Sequence, residues 1–180
     1  MNNQVVILDR DGVINHDSPD YIKNADEWHP IAGSLEAIAR FKQAGWRVAI
    51  ASNQAGIARG LFSQADLDAI HARMLAAVKN AGGEIDLLVY CPHRPEDHCD
   101  CRKPAPGLLR EIGHRLNVGL QGVPFVGDTL KDINAARAVG ARPLLVRTGQ
   151  GEATLAALDS APDVAVFSDL AAVADHLTGQ

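Results

Sequence analysis

Val5-Val6-Ile7-Leu8-Asp9-Arg10-Asp11-Gly12-Val13 is the stretch whose reading decides the fold. Its first four residues are apolar and mostly β-branched, which suits a strand buried in the middle of a parallel sheet. The run stops at two aspartates one residue apart, followed by glycine. Ligands in open α/β sheets lie just past the carboxyl ends of the strands, so the pair stands where a reactive group belongs. Two carboxylates at i and i+2 repel each other, and a Mg²⁺ ion with its hard oxygen ligands would hold them together. Asp9 can then attack as a nucleophile while Asp11 carries a proton. A plain Asp/Gly turn is the competing reading. A calcium loop fails, because it needs glycine at its sixth position and Glu at its twelfth, where this stretch has Gly12 fourth and Asp20 twelfth.

The chain of 180 residues, 47% hydrophobic and 22% charged, reads as one globular α/β domain spanning 1–180. A net charge of −5 without a basic run argues against a nucleic-acid partner. It leaves room for a small anionic substrate met by a local cluster of Arg and Lys. With no membrane span and no signal peptide, the expected setting is the cytoplasm, and monomer is the default state. Cys91, Cys99 and Cys101 crowd into one short segment, poor material for disulfides in a reducing compartment and better material for a metal.

Strand and helix alternate along the chain, which predicts a Rossmann-like parallel sheet with helices on both faces and no separate cap domain. Residues 15–30 read as a loop, Ser34 as the cap of a helix through about Ala44, and 47–52 as a second strand. Ser63 with Asp66 opens a long helix to about Asn80. Further strands are expected at 85–90, 123–127, 143–146 and 164–167, with helices at about 106–116 and 129–139. Four strand ends then carry polar residues to one edge: Asp9 and Asp11, Ser52 and Asn53, Arg102 and Lys103 after the cysteine loop, and Asp128. Such an edge suits an anion bound beside Mg²⁺, with donors from Ser52, a cation from Lys103 and a distant carboxylate from Asp128.

The order Asp-x-Asp-Gly, a strand ending in Ser, then Lys, then Gly127-Asp128-x-x-x-Asp132 resembles the haloacid dehalogenase superfamily of phosphohydrolases. The resemblance implies an aspartyl-phosphate mechanism. In it Asp9 attacks phosphorus, Asp11 protonates the leaving alkoxide and then activates water, and Ser52 and Lys103 hold the phosphoryl oxygens. Mg²⁺ would be bound by Asp9, the Asp11 carbonyl oxygen and Asp128, with Asp132 in support.

Cys91-Pro92-His93 with Cys99-Asp100-Cys101-Arg102-Lys103-Pro104 narrows the resemblance to zinc-containing sugar and amino-alcohol phosphatases. Asn53-Gln54-Ala55-Gly56-Ile57-Ala58-Arg59-Gly60 is similar to the D-glycero-D-manno-heptose 1,7-bisphosphate 7-phosphatases, which serve cell-surface polysaccharide synthesis. Three thiolates and one imidazole make a closed tetrahedral Zn²⁺ site, so zinc on Cys91, His93, Cys99 and Cys101 would be structural, bracing the loop that ends in Arg102 and Lys103. His98 competes for one of those places. The resemblance assigns substrate contacts to Asn15, Asp17, Tyr21, Asn53, Gln54, Arg59 and Arg102, against solvated loop residues as the plainer alternative. His71 and His114 read as surface or packing residues on helices. Histidinol-phosphate phosphatase is the alternative enzyme, and a zinc-stabilised scaffold the alternative from another class.

Overall fold

The run at the head of the chain forms β1 (Val5–Leu8) in a computed structural model that describes residues 4–179. The outermost ends of the expected 1–180 domain lie outside the described residues. Five more strands follow: β2 (Arg47–Asn53), β3 (Leu87–Cys91), β4 (Pro124–Gly127), β5 (Arg142–Val146) and β6 (Ala165–Phe167). All pair in parallel in the order β3-β2-β1-β4-β5-β6. The helices are α1 (Ser34–Gln43), α2 (Gln64–Asn80), α3 (Gly107–Leu116), α4 (Leu130–Ala138), α5 (Gly151–Ala157) and α6 (Leu170–Thr178).

β1 is central, and alternation along it sorts the core into two layers. Val6 and Leu8 face α1, α2 and α6, packing with Ile38, Phe41, Ile70, Met74 and Val173. Val5 and Ile7 face the opposite layer, with Leu109 and Ile112 of α3 and Ala135 and Ala136 of α4. The chain winds outward from β1 to β2 and β3, then crosses back to place β4 on the other side of β1. The carboxyl ends of β1 and β4 therefore flank the point where the winding reverses, which is where such sheets open a crevice.

Two local expectations need correcting. Ser34 is the first residue of α1 rather than its cap; Gly33, with φ 83°, holds the cap position. The Ser34 hydroxyl instead donates to the Val13 carbonyl at 2.8 Å, tying α1 to the loop after β1. The loop over residues 15–30 contains one short turn of 3₁₀ helix, Ala25–Glu27, and drives Ile22 and Trp28 into the core. Ser63 and Asp66 do form the reciprocal cap of α2. Among the described residues no helix is long and apolar enough to cross a membrane.

Candidate active site

The crevice beyond β1 and β4 holds an open cavity lined by Asp9, Asp11, Asp17, Asn53, Arg102, Lys103, Asp128, Thr129, Lys131, Asp132 and Gln150. Its interior of about 130 Å³ equals roughly four waters. That admits a phosphoryl group, and a sugar would have to lie across the opening.

Lys103 is the cation at the floor. It is 2% exposed, and its ammonium donates to Asp132 Oδ1 at 2.7 Å and to the Ala51 carbonyl at 2.8 Å, with Asp9 Oδ1 at 3.0 Å. Those contacts engage its three N–H bonds. Burial alone would lower its pKa, but Asp132 and Asp9 outweigh burial and hold it above the ordinary lysine range. Its backbone is fixed as well: Asn53 Nδ2 donates to the Lys103 carbonyl and Asn53 Oδ1 accepts from the Lys103 amide, each at 3.0 Å. Asn53 thus lines the cavity with its amide already committed to the lysine.

Three carboxylates, from Asp9, Asp128 and Asp132, bring oxygens within 4.8 Å of one another. Asp132 is accounted for by protein donors. Its Oδ1 meets Lys103, and its Oδ2 accepts from the Thr129 amide and hydroxyl at 3.1 and 2.8 Å as the cap of α4. Asp128 is not: Oδ2 accepts from the Gln150 amide at 2.8 Å, while Oδ1 is buried without a hydrogen-bond partner. Burial pushes the Asp128 carboxyl up to about 7. Burial, followed by the nearby Asp132, Asp128 and Asp11 charges, raises Asp9 well above the carboxylate range in spite of Lys103. An orphaned, buried carboxylate oxygen beside a second buried carboxylate is a hard-oxygen set that fits a divalent cation. Asp9 and Asp128 are the members of the trio that could hold it, since Asp132 is the counter-ion of Lys103. Gly12, at φ 82°, permits this approach, since a Cβ there would stand 2.1 Å from Asp128 Oδ2.

The Asp11 carboxylate lies outside that trio. It turns toward Arg10, Asn15 and Gln54, which donate to it at 2.9–3.1 Å. Asn15 is completely buried and Gln54 nearly so, and both face Asp11 rather than the opening expected for sugar contacts. Ser52 lies behind Gln54, whose Nε2 donates to Ser52 Oγ at 2.8 Å. Asp17 lines the cavity mouth and accepts from Gln150 Nε2 at 3.0 Å. Tyr21, at φ 65°, and the exposed Arg59 do not line the cavity.

Cys91, His93, Cys99 and Cys101 bring their ligand atoms within 4.8 Å of one another, with individual separations of 2.9–3.5 Å and no disulfide. The edge of a tetrahedron with ordinary Zn–S and Zn–N bonds is about 3.5–3.8 Å, so the four could take Zn²⁺ by spreading less than about 1 Å. His98 stands outside this group. The loop passes its geometry on to the cavity, because the Arg102 amide donates to Cys99 Sγ at 3.4 Å and Arg102 Nη1 to the His93 carbonyl at 3.2 Å. Arg102 and Lys131 stand where the cavity meets a second cleft, lined also by Arg94 and His98.

Sequence reasoning missed three contributors. Arg10, the residue between the two aspartates, is a buried partner of Asp11. His71 is a packing residue as expected, yet its Nε2 lies 3.4 Å from Arg10 Nη1. The segment Thr148-Gly149-Gln150 closes one wall: Thr148 Oγ1 donates to the Gly12 carbonyl at 2.7 Å, and Gln150 holds Asp128. It follows β5 at the same sheet edge, so a fifth polar strand end was the available signal.

A family model described as HAD-hydrolase-like matches residues 100–173. The chain is 57% identical to a D-glycero-β-D-manno-heptose-1,7-bisphosphate 7-phosphatase of Pseudomonas aeruginosa, covering 98% of this chain and 99% of that one. It is 55% identical to the protein of the same name in Pseudomonas putida, over 97% and 99% of the two chains. Among solved structures, a D,D-heptose 1,7-bisphosphate phosphatase from Bordetella bronchiseptica, complexed with magnesium and phosphate, superposes with a TM-score of 0.95 at 50% identity, covering 98% of each chain.

Proposed function

This chain belongs to the D-glycero-β-D-manno-heptose-1,7-bisphosphate 7-phosphatase family of haloacid dehalogenase-like hydrolases, and we propose that it removes the 7-phosphate of that β-anomeric heptose bisphosphate through an aspartyl-phosphate intermediate. One observation carries the reading: Asp9, Lys103 and the half-satisfied Asp128 converge on a single phosphoryl-sized cavity.

In the proposed reaction an Asp9 oxygen attacks phosphorus and the bond from phosphorus to the C7 oxygen breaks. Asp11 delivers its proton to the departing alkoxide. The Asp11 carboxylate then takes a proton from water as the water oxygen attacks phosphorus, and the bond to Asp9 breaks to release inorganic phosphate. Lys103, with its donors engaged inside the protein, contributes positive charge and the orientation of Asp9. When bound by Asp9, Asp128 and the Asp11 carbonyl oxygen, Mg²⁺ supplies further positive charge to the phosphoryl oxygens. Arg102 and Lys131 at the rim suit the second phosphate, and Asp17 suits a sugar hydroxyl. Zinc on the four-ligand loop braces Arg102 and Lys103.

The reading includes one domain over the whole chain, a monomer in the cytoplasm, and neither nucleic acid nor membrane as partner. Its test is phosphate release from the two anomeric heptose bisphosphates and from histidinol phosphate, each with and without Mg²⁺. A Mg²⁺-dependent preference for the β-heptose substrate in kcat/KM is expected, and a large preference for histidinol phosphate overturns the assignment.

A further inference from the structure

Arg10 separates the two aspartates and does not reach the cavity. It is 1% exposed, an unusual situation for an arginine unless a partner holds its charge. That partner is Asp11: Nε donates to Oδ1 at 2.9 Å, and Nη2 donates to Oδ2 at 3.1 Å while lying 2.9 Å from Oδ1, a two-pronged grip that spans both carboxylate oxygens. The remaining nitrogen, Nη1, lies 3.4 Å from His71 Nε2 on α2. An arginine only donates, so Nε2 supplies the lone pair and the imidazole proton sits on Nδ1. Burial, and then the Arg10 charge, lower His71 to about 4, so the ring is neutral near pH 7. The Tyr90 ring packs beside it with centroids 5.6 Å apart. His71 is thereby a fixed acceptor behind the guanidinium.

Asp11 receives four N–H bonds in total. Asn15 Nδ2 joins Arg10 Nε on Oδ1, and Gln54 Nε2 joins Arg10 Nη2 on Oδ2, at 2.9 and 3.0 Å. A carboxylate offers about four lone-pair sites, so none remains to face a leaving group. One donor has to move before an Asp11 oxygen can carry a proton to the leaving group. Arg10 is buried and backed by His71. Gln54 is the neutral donor of the two on Oδ2, and its other N–H, on Ser52 Oγ, still anchors the side chain when the bond to Asp11 breaks.

We infer that Arg10, braced by His71, is the positioning residue of the acid–base aspartate. Its fork fixes the plane of the Asp11 carboxylate, and departure of the Gln54 amide opens Oδ2 toward the leaving oxygen. The inference rests on the role given to Asp11 above.

The test compares kcat/KM for the β-heptose bisphosphate, whose alkoxide needs a proton as it leaves, with kcat/KM for para-nitrophenyl phosphate, whose phenolate does not. General acid catalysis is worth about 10²–10⁴-fold, so Arg10→Met is expected to cost about 10²-fold on the sugar substrate and under about threefold on the aryl one. If Arg10→Met does not fold, His71→Leu carries the test, with a selective loss of about tenfold on the sugar substrate. His71→Gln, which keeps an acceptor for Arg10, is expected to restore it. Equal losses on both substrates in a wild-type-active protein overturn the inference alone. An Asp11→Asn variant with wild-type kcat/KM on the sugar substrate overturns the role of Asp11, and a wild type inactive on both substrates overturns the proposed reaction, each taking the inference with it.

Discussion

Replacing Lys103 by methionine keeps the length of the side chain and removes the only cation in contact with both Asp9 and Asp132 among the described residues. Two buried carboxylates are then left without their counter-charge. Breaking a buried pair from one side typically costs about 3–5 kcal/mol, because the remaining charge has lost both its partner and its water. At the lower end, and at about 2–4 °C per kcal/mol for a domain of this size, the melting temperature should drop by about 6–12 °C. Lys103 has a raised pKa in the fold, so its contribution is complete below the unfolded lysine value of about 10.4 and is lost as pH rises through the folded one. A thermal melt at about pH 7 without added Mg²⁺, with zinc left in place, lies inside that window. The diagnostic variant is Asp132→Asn, whose remaining oxygen can still cap α4 through Thr129. In the wild type it strips Lys103 of a partner and should destabilise. In Lys103→Met it removes an unpaired charge and should stabilise, while activity stays lost. If Asp132→Asn lowers the melting temperature equally in both backgrounds, the ion-pair reasoning is wrong.

Other consequences are as direct. Asp9 and Asp128 have raised pKa values when folded, so they bind protons more tightly there than in the unfolded chain; metal-free stability should fall as pH rises from about 4 toward 7, and the thermal shift from added Mg²⁺ should grow over the same interval. A Mg²⁺ shift independent of pH contradicts the assignment of those ligands. Removing zinc should lower kcat/KM by about 10²-fold through displacement of Arg102 and Lys103, the scale expected for a misplacement of about 1 Å, and zinc alone should restore it; a folded zinc-free protein with unchanged kinetic constants refutes this. Gly149→Ala puts a Cβ 2.2 Å from Asp128 Oδ2 and 2.5 Å from Gly12 Cα at φ 59°, and should weaken Mg²⁺ about tenfold by titration calorimetry, as 1–3 kcal/mol of local strain implies. Unchanged Mg²⁺ affinity removes the segment after β5 from the account.

The sheet was legible because β1 is purely apolar and every later strand is bounded by glycine, proline or a polar turn. The same edge logic pointed to Asp9 and Asp128, the first residues past β1 and β4, and to the thiol loop that leaves β3 at Cys91 and runs on to Lys103. Side-chain direction was not legible. Asn15, Gln54 and Asn53 are polar residues in loops at the right edge, yet the first two turn inward to Asp11 and the third to the Lys103 backbone. Period-two and period-3.6 patterns say which face a residue occupies within an element and nothing about a loop amide choosing between substrate and a neighbour. Arg10 was hidden for a related reason: its partner is the adjacent Asp11, and its second contact, His71, lies far away on α2.

The central claim is that Asp9 becomes phosphorylated during turnover. Quenching the enzyme with heptose bisphosphate and Mg²⁺, reducing with borohydride and mapping peptides by mass spectrometry tests it directly, because an aspartyl phosphate is reduced to homoserine. Substrate-dependent homoserine at position 9, absent in Asp9→Asn, is the expected result. Reduction at Asp128 or Asp132 instead, or at no aspartate while phosphate is still released, contradicts the account.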